Sequence, residues 1–260
     1  MVSKYKGYLI DLDGTIYRGN ERIPAAKRFI ERLQVARIPF LFLTNNTTRT
    51  PETVCAFLAS KHDIHVTPDQ VYTPSLATAS YLLKVNHGDV SNKSIYIIGE
   101  IGLKKAILST GIKMNELDPD YVVVGLDYDV TYHKFELATL AIQRGAMFIG
   151  TNEDTNLPNE RGQVPGAGSV IALVERSTQQ QAFYIGKPRQ PIMDAALAKM
   201  GLDAADVAMV GDNYNTDIKA GINAGTGTLL VYTGISTKEQ VARQEIQPTD
   251  QVDSLDDWEV

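Results

Sequence analysis

The sequence predicts an α/β protein built on parallel sheets, with a core domain and a second α/β unit inserted into it. Three observations carry this. Short, continuous apolar runs recur at Tyr8–Ile10, Pro39–Leu43, Ile95–Ile98, Tyr121–Val124, Met147–Ile149, Phe183–Ile185 and Val207–Val210; such runs mark strands buried on both faces. Segments with apolar residues at helical spacing alternate with them, and strand–helix–strand order calls for parallel pairing with right-handed crossovers. The polar stretch Asn86 to Ser94 interrupts the series and reads as a boundary. The expected domains are therefore residues 1–85 with 181–260, and residues 86–180.

The first strand, ending in Tyr8-Leu9-Ile10, runs into Asp11-Leu12-Asp13-Gly14-Thr15. Side chains alternate along a strand, so Asp11 and Asp13 project to one side if the chain stays extended through Leu12. Gly14 then lets the backbone turn away. Two neighbouring carboxylates suit a metal site, an acid/base pair, or a nucleophile with its helper; Asp-Gly alone also reads as a plain turn. Ile16 to Pro24, centred on Gly19-Asn20, predicts a hairpin or flap beside the aspartates.

Residues Ala25 to Arg37 carry Ala26, Phe29, Ile30 and Leu33 at helical spacing. The strand Pro39–Leu43 ends in Thr44-Asn45-Asn46-Thr47-Thr48, and Pro51 opens the next helix. Val71-Tyr72 reads as a short strand and Ser75 to Val85 as a helix. In the inserted unit, Tyr132 to Arg144 places Phe135, Leu137, Leu140 and Ala141 on a helical repeat. Thr151 to Ser169 is polar and punctuated by glycine and proline, which predicts a long, shaped, functional loop. After Lys187-Pro188 come a helix from about Pro191 to Met200, a strand ending in Asp212, a helix from Asp217 to Ala224 and a strand from Thr228 to Tyr232. The tail from Pro248, with Trp258, is expected to pack on the surface.

Composition excludes some functions. The 260 residues carry 43% hydrophobic and 22% charged residues, ordinary for a globular protein. A net charge of −6 argues against a nucleic-acid-binding surface. Cys55 is the one cysteine, so no intrachain disulfide can form, and it reads as an inert thiol. No apolar run approaches the roughly 18 residues of a membrane span, and Met-Val-Ser-Lys-Tyr-Lys leaves no room for a signal peptide, so the expectation is a cytoplasmic protein. His62, His65, His87 and His133 show no ligand spacing and read as core or surface residues.

Four strands end in polar residues of one kind: Asp11 and Asp13; Thr44 and Asn45; Lys187; and Asp212, with Asp217 five residues on. In open parallel sheets ligands bind beyond the carboxyl ends of the strands, so these residues are expected to converge. Three carboxylates suit a hard cation such as Mg²⁺. A lysine and a threonine hydroxyl suit a phosphoryl group.

With these motifs the chain resembles the haloacid dehalogenase superfamily of phosphatases. The residues that carry the resemblance are Asp11-Leu12-Asp13-Gly14-Thr15, Thr44, Lys187 and Gly211-Asp212-Asn213-Tyr214-Asn215-Thr216-Asp217. It is similar in particular to the NagD-like, class IIA branch, through Thr44-Asn45-Asn46, Gly186-Lys187-Pro188, Val123-Val124-Gly125, Thr151-Asn152-Glu153-Asp154 and Pro165-Gly166-Ala167-Gly168-Ser169. Glu153 departs from the branch, whose members often carry proline there. The resemblance implies a Rossmann-like core with an inserted C2-type cap, a Mg²⁺ cofactor, and hydrolysis of small phosphorylated metabolites such as sugar phosphates or nucleoside monophosphates. It implies Asp11 as the nucleophile, Asp13 as acid and base with its carbonyl on the metal, and Asp212 as the second carboxylate ligand. Thr44, Asn45, Asn46, Lys187 and Asn213 are expected at the phosphate, and Asp217 behind the metal or Lys187. Asn152, Asp154, Asn156, Asn159 and Arg161 are the candidates for substrate selection by the cap, through which a homodimer is also expected. The alternatives are a phosphomutase using the same intermediate and a non-catalytic phosphate-ligand sensor.

Overall fold

In the computed structural model, which describes residues 4–159 and 161–260, the chain divides into two compact units. One comprises Met1–Thr44, Pro51–Tyr72 and Lys187–Val260, the other Asn45–Thr50 and Thr73–Gly186.

The first unit holds a six-stranded, wholly parallel sheet. Across it run Val71–Tyr72, Phe40–Leu43, Gly7–Ile10, Val207–Gly211, Gly227–Val231 and Asp250–Val252. Counted along the chain this is the order 3-2-1-4-5-6, the doubly wound arrangement whose direction of winding reverses between strands 1 and 4. In such sheets ligands bind at that reversal, which here lies beyond the carboxyl ends of Gly7–Ile10 and Val207–Gly211. Ile10 lies opposite Val210, so Asp11 and Asp212 leave the sheet within one residue of level.

The helix Pro24–Ala36 covers this sheet because Ala25, Ala26, Phe29, Ile30 and Leu33 form one buried face. Pro24 supplies a pre-set first turn. Arg37, at φ 56°, ends the helix by turning its N–H back onto the carbonyls of Gln34 and Leu33. Phe29 and Leu33 pack with Tyr8, Ile10 and Phe42, each such burial stabilising by roughly 1.5–3 kcal/mol. The expected flap is present as an antiparallel hairpin of Tyr17–Arg18 with Glu21–Arg22, turning at Gly19 with φ 55°.

The second unit is also doubly wound. Its five parallel strands lie in the order Lys113–Met114, Ser94–Ile98, Tyr121–Val124, Met147–Gly150, Phe183–Tyr184. Ile98, Val122, Val124 and Phe148 pack with Ala138 and Ile142 of the helix Tyr132–Gln143 and with Ile171 and Val174 of the helix Ala167–Thr178.

Four features differ from the sequence expectation. The helix Pro74–Val85 belongs with the second unit, and the chain returns to the first at Lys187. The polar stretch that suggested a linker at residue 86 is a tied turn: Asn86 Nδ2 donates to Tyr121 Oη at 2.9 Å and Oη lies 3.1 Å from Asn86 Oδ1. Upstream, the Tyr81 ring stacks on Phe183 at 4.8 Å. The expected loop of residues 151–169 contains an antiparallel hairpin, Asn156–Asn159 with Gly162–Pro165, before the helix that starts at Ala167. The helix expected from Asp217 is preceded by a π-helical turn, Tyr214–Ile218, and its α-helical part is Lys219–Ala224. No helix among the described residues is long and apolar enough to cross a membrane.

Candidate active site

Asp11 follows the strand Gly7–Ile10 directly, its N–H held by the Val210 carbonyl at 2.9 Å. Lys187 Nζ lies 2.7 Å from Asp11 Oδ1 and 2.7 Å from Asp217 Oδ1. Asp11 is 8% exposed, and Lys187, Asp212 and Asp217 are 1% exposed each. Charges so far from water persist only when they satisfy one another or an ion.

Asp217 accepts three hydrogen bonds. Besides Lys187, its Oδ1 accepts from Thr216 Oγ1 at 3.2 Å, and its Oδ2 accepts the Asn213 N–H at 3.1 Å. The π-turn that carries it presses its carboxylate against Gly211, where any Cβ would fall on the Asp217 side chain. Asp217 is thus bonded directly to Lys187, with most of its acceptor sites already engaged. Asp212 is held differently: Oδ1 accepts from Thr15 Oγ1 at 3.1 Å and Oδ2 from the Ile235 N–H at 2.8 Å. Its carboxylate is flanked by Gly14 and Gly234, and a Cβ at either would collide with it; Gly14 also sits at φ 98°.

One oxygen from each of Asp11, Asp212 and Asp217 lies within 4.8 Å of the others. Three carboxylates against one ammonium leave two negative charges uncompensated. The titration behaviour follows. Burial pushes the Asp11 carboxyl well above the ordinary range, with Lys187 opposing and Asp217 and Asp212 adding to the rise. Burial, then Asp217, pushes Asp212 up to about 6. Lys187 is raised although burial opposes it, because the Asp11 and Asp217 carboxylates outweigh the burial. An all-oxygen donor set with excess negative charge fits a hard divalent cation.

The other expected residues are placed as follows. Asp13 is exposed, outside the buried cluster, and its Oδ1 accepts the Gly19 N–H at 3.1 Å. Thr44 is buried at the end of the neighbouring strand, its N–H directed to the Tyr72 carbonyl at 3.3 Å. Asn213 Oδ1 caps the π-turn through the Asn215 N–H at 3.0 Å. Asn45 and Asn46 fall in the second unit. There Asn45 Nδ2 donates to both Asp154 oxygens at 3.1 and 3.3 Å, and its carbonyl accepts from Asn152 Nδ2 at 2.9 Å. Asn46 Oδ1 accepts the Thr48 N–H and hydroxyl, each at 2.8 Å. Asn152 and Asp154 are thereby part of an internal knot, whereas Asn156 is exposed and opens the hairpin. Arg161 is exposed beside the hairpin's turn; the side chain of Asn159 lies outside the described residues.

Sequence reasoning assigned no role to Thr15, Gly234 or Ile235, which build the Asp212 cradle. Their signal is weak but real: a glycine just beyond the carboxyl end of a parallel strand marks a close approach. A shallow cavity of about 320 Å³ lined by Tyr232, Lys238, Gln247, Gln251 and Asp253 holds none of these carboxylates.

Comparison with known proteins places these residues in context. Residues 8–113 match the family described as haloacid dehalogenase-like hydrolase, and residues 184–258 match a family described as HAD-hydrolase-like. The chain is 46% identical over 254 residues to the 5′-nucleotidase YutF of Bacillus subtilis, covering 98% of this chain and 97% of that protein. It is 48% identical over 246 residues to an acid sugar phosphatase of Staphylococcus epidermidis, covering 94% and 93%. The crystal structure of a double mutant of the thermostable NPPase from Geobacillus stearothermophilus superposes with a TM-score of 0.92 at 49% identity, covering 99% of both chains.

Proposed function

The chain belongs to the haloacid dehalogenase-like hydrolases, and from that membership we propose that it is a Mg²⁺-dependent phosphatase that hydrolyses small phosphomonoesters through an aspartyl phosphate on Asp11. The observation that carries the mechanism is Lys187, buried within 2.7 Å of both Asp11 and Asp217 at the point where the sheet's winding reverses. A buried ion cluster contributes no more to stability than apolar packing of the same volume would, so its place at this edge points to chemistry.

In this reading Asp11, Asp212 and the Asp13 carbonyl would hold Mg²⁺, which would supply charge neutralisation at the phosphoryl group. Asp11 attacks phosphorus: an Asp11 O–P bond forms as the bond from phosphorus to the ester oxygen breaks. Asp13, exposed and outside the buried cluster, donates its proton to the departing alkoxide. It then takes a proton from the water that attacks phosphorus, which releases phosphate and regenerates the Asp11 carboxylate. Lys187, aimed by Asp217, stabilises the negative charge on the transferring group, and the Thr44 hydroxyl holds one of its oxygens.

Assay of p-nitrophenyl phosphate, with and without Mg²⁺, tests the class, and a panel of sugar phosphates and nucleoside monophosphates tests the substrate. Full turnover after exhaustive chelation would remove the metal from the mechanism.

Choice among substrates is assigned to the second unit as a cap, through the polar hairpin that begins at Asn156. Replacing residues 156–161 with a short Gly-Ser linker should leave p-nitrophenyl phosphate hydrolysis within roughly tenfold. The best natural substrate should lose considerably more, because contacts to its leaving group contribute only to that substrate's transition state. Equal losses on both, with circular dichroism unchanged, would free the hairpin of that role.

A further inference from the structure

His62 is 3% exposed, and neither ring nitrogen has a hydrogen-bond partner among the described residues. Burying an imidazole without partners is costly, so its place needs a reason other than hydrogen bonding. Its ring stacks on Tyr17 at 4.6 Å and 17°, and meets the edge of Phe57 at 5.0 Å. Tyr17 in turn meets Phe57 at 5.3 Å. Three rings thus clamp the first strand of the flap hairpin to the segment Pro51–His62. That segment ends in a π-helical turn, Leu58–His62, a distortion found often at functional sites. Beside the rings, Arg22 Nε on the second hairpin strand donates to the Lys61 carbonyl at 2.6 Å.

What the clamp holds is Asp13. The Tyr17 carbonyl accepts the Gly14 N–H at 2.6 Å, and the Tyr17 N–H points to the Leu12 carbonyl at 3.2 Å. The backbone of Tyr17 is therefore bonded to both chain neighbours of Asp13. Two residues on, the Gly19 N–H donates to Asp13 Oδ1 at 3.1 Å. We infer that the His62–Tyr17–Phe57 ring cluster is a positioning device for Asp13: it fixes the flap whose backbone sets where that carboxyl points. The inference rests on the proposed role of Asp13 as acid, and His62 acts through Tyr17 without touching the substrate.

The consequence is selective for leaving groups. A p-nitrophenolate leaves without help, whereas an alkoxide must be protonated as it departs. In kcat/KM, which reports steps through formation of the aspartyl phosphate, loosening the flap should spare the first and penalise the second. Displacement of a catalytic group by about 1 Å can cost up to about 10²-fold. His62→Ala should lower kcat/KM for glycerol phosphate at least about thirtyfold while lowering that for p-nitrophenyl phosphate less than about threefold. His62→Phe, which keeps the ring and removes the unpartnered nitrogens, should restore both to within about twofold and raise the melting temperature.

Asp13→Asn is the control in the same assay. It should show the leaving-group selectivity more strongly; if it shows none, the reading of Asp13 as acid fails, independently of His62. If Asp13→Asn is selective but His62→Ala lowers both substrates equally, or lowers neither, the positioning inference is overturned. Failure of His62→Phe to recover the glycerol phosphate rate overturns it as well.

Discussion

Asp11→Asn should lower turnover by at least about 10³-fold, since the covalent route is lost with the attacking carboxylate. The substitution keeps the shape of the side chain and changes one charge in a cluster that has too many. Lys187 retains Asp217 at 2.7 Å, so no buried ammonium is left alone, which is the circumstance that makes removal of one partner destructive. The carboxyl removed is the one that burial and its neighbours Asp217 and Asp212 hold far above its ordinary range. The variant should therefore melt at the same temperature as the parent or higher while losing its chemistry, a separation that no folding defect produces. Acid quenching during turnover of a labelled phosphomonoester should trap phosphate on the parent protein and none on the variant. Near-parental activity in freshly purified Asp11→Asn protein would exclude Asp11 as the nucleophile.

Much of the frame behind that prediction was legible in the sequence because it rests on long, uninterrupted signals. Strands buried on both faces must be apolar at every position, so Tyr8–Ile10, Phe40–Leu43 and Val207–Val210 stand out without reference to their partners. The polar residues at their ends follow from the rule that ligands meet a parallel sheet at its carboxyl edge. Less legible was whatever depends on contacts between distant segments. The division near residue 86 failed to appear where expected because Asn86 is polar for the sake of Tyr121, a partner 35 residues away. The hairpin at Asn156–Asn159 hides in a stretch whose prolines and glycines say turn before they say strand. Asp217 reads in sequence as the start of a helix. A π-turn, which no residue pattern announces, and an empty Cβ position at Gly211 let it reach Lys187. His62 reads as any buried histidine until Tyr17 is seen lying flat against it.

Asp212→Asn should weaken Mg²⁺ binding by at least about tenfold, or about 1.4 kcal/mol, and abolish most turnover at ordinary Mg²⁺ concentrations. The argument is electrostatic. Asp212 is a carboxylate packed between two glycines, with Thr15 Oγ1 and the Ile235 N–H as donors to its two oxygens. Both can still be met by an amide: its oxygen accepts from Ile235, and its nitrogen donates to the Thr15 hydroxyl. What the amide cannot supply is negative charge, and a weakly held, reluctantly dehydrated ion such as Mg²⁺ depends on one or two carboxylates. The Asp212 carboxyl, pushed up to about 6 by burial and by Asp217, also shows that the cluster resists a further negative charge unless a cation answers it. In the parent, Mg²⁺ without substrate should raise the melting temperature, as any ligand of the folded state does; in Asp212→Asn that rise should shrink or vanish, while the metal-free melting temperature stays level or climbs. Ca²⁺ should stabilise the parent without supporting turnover, because its larger and looser coordination sets Asp11 out of line with phosphorus. An undiminished Mg²⁺ shift in the Asn variant would take Asp212 out of the metal site and leave Asp11 and Asp217 to hold the ion.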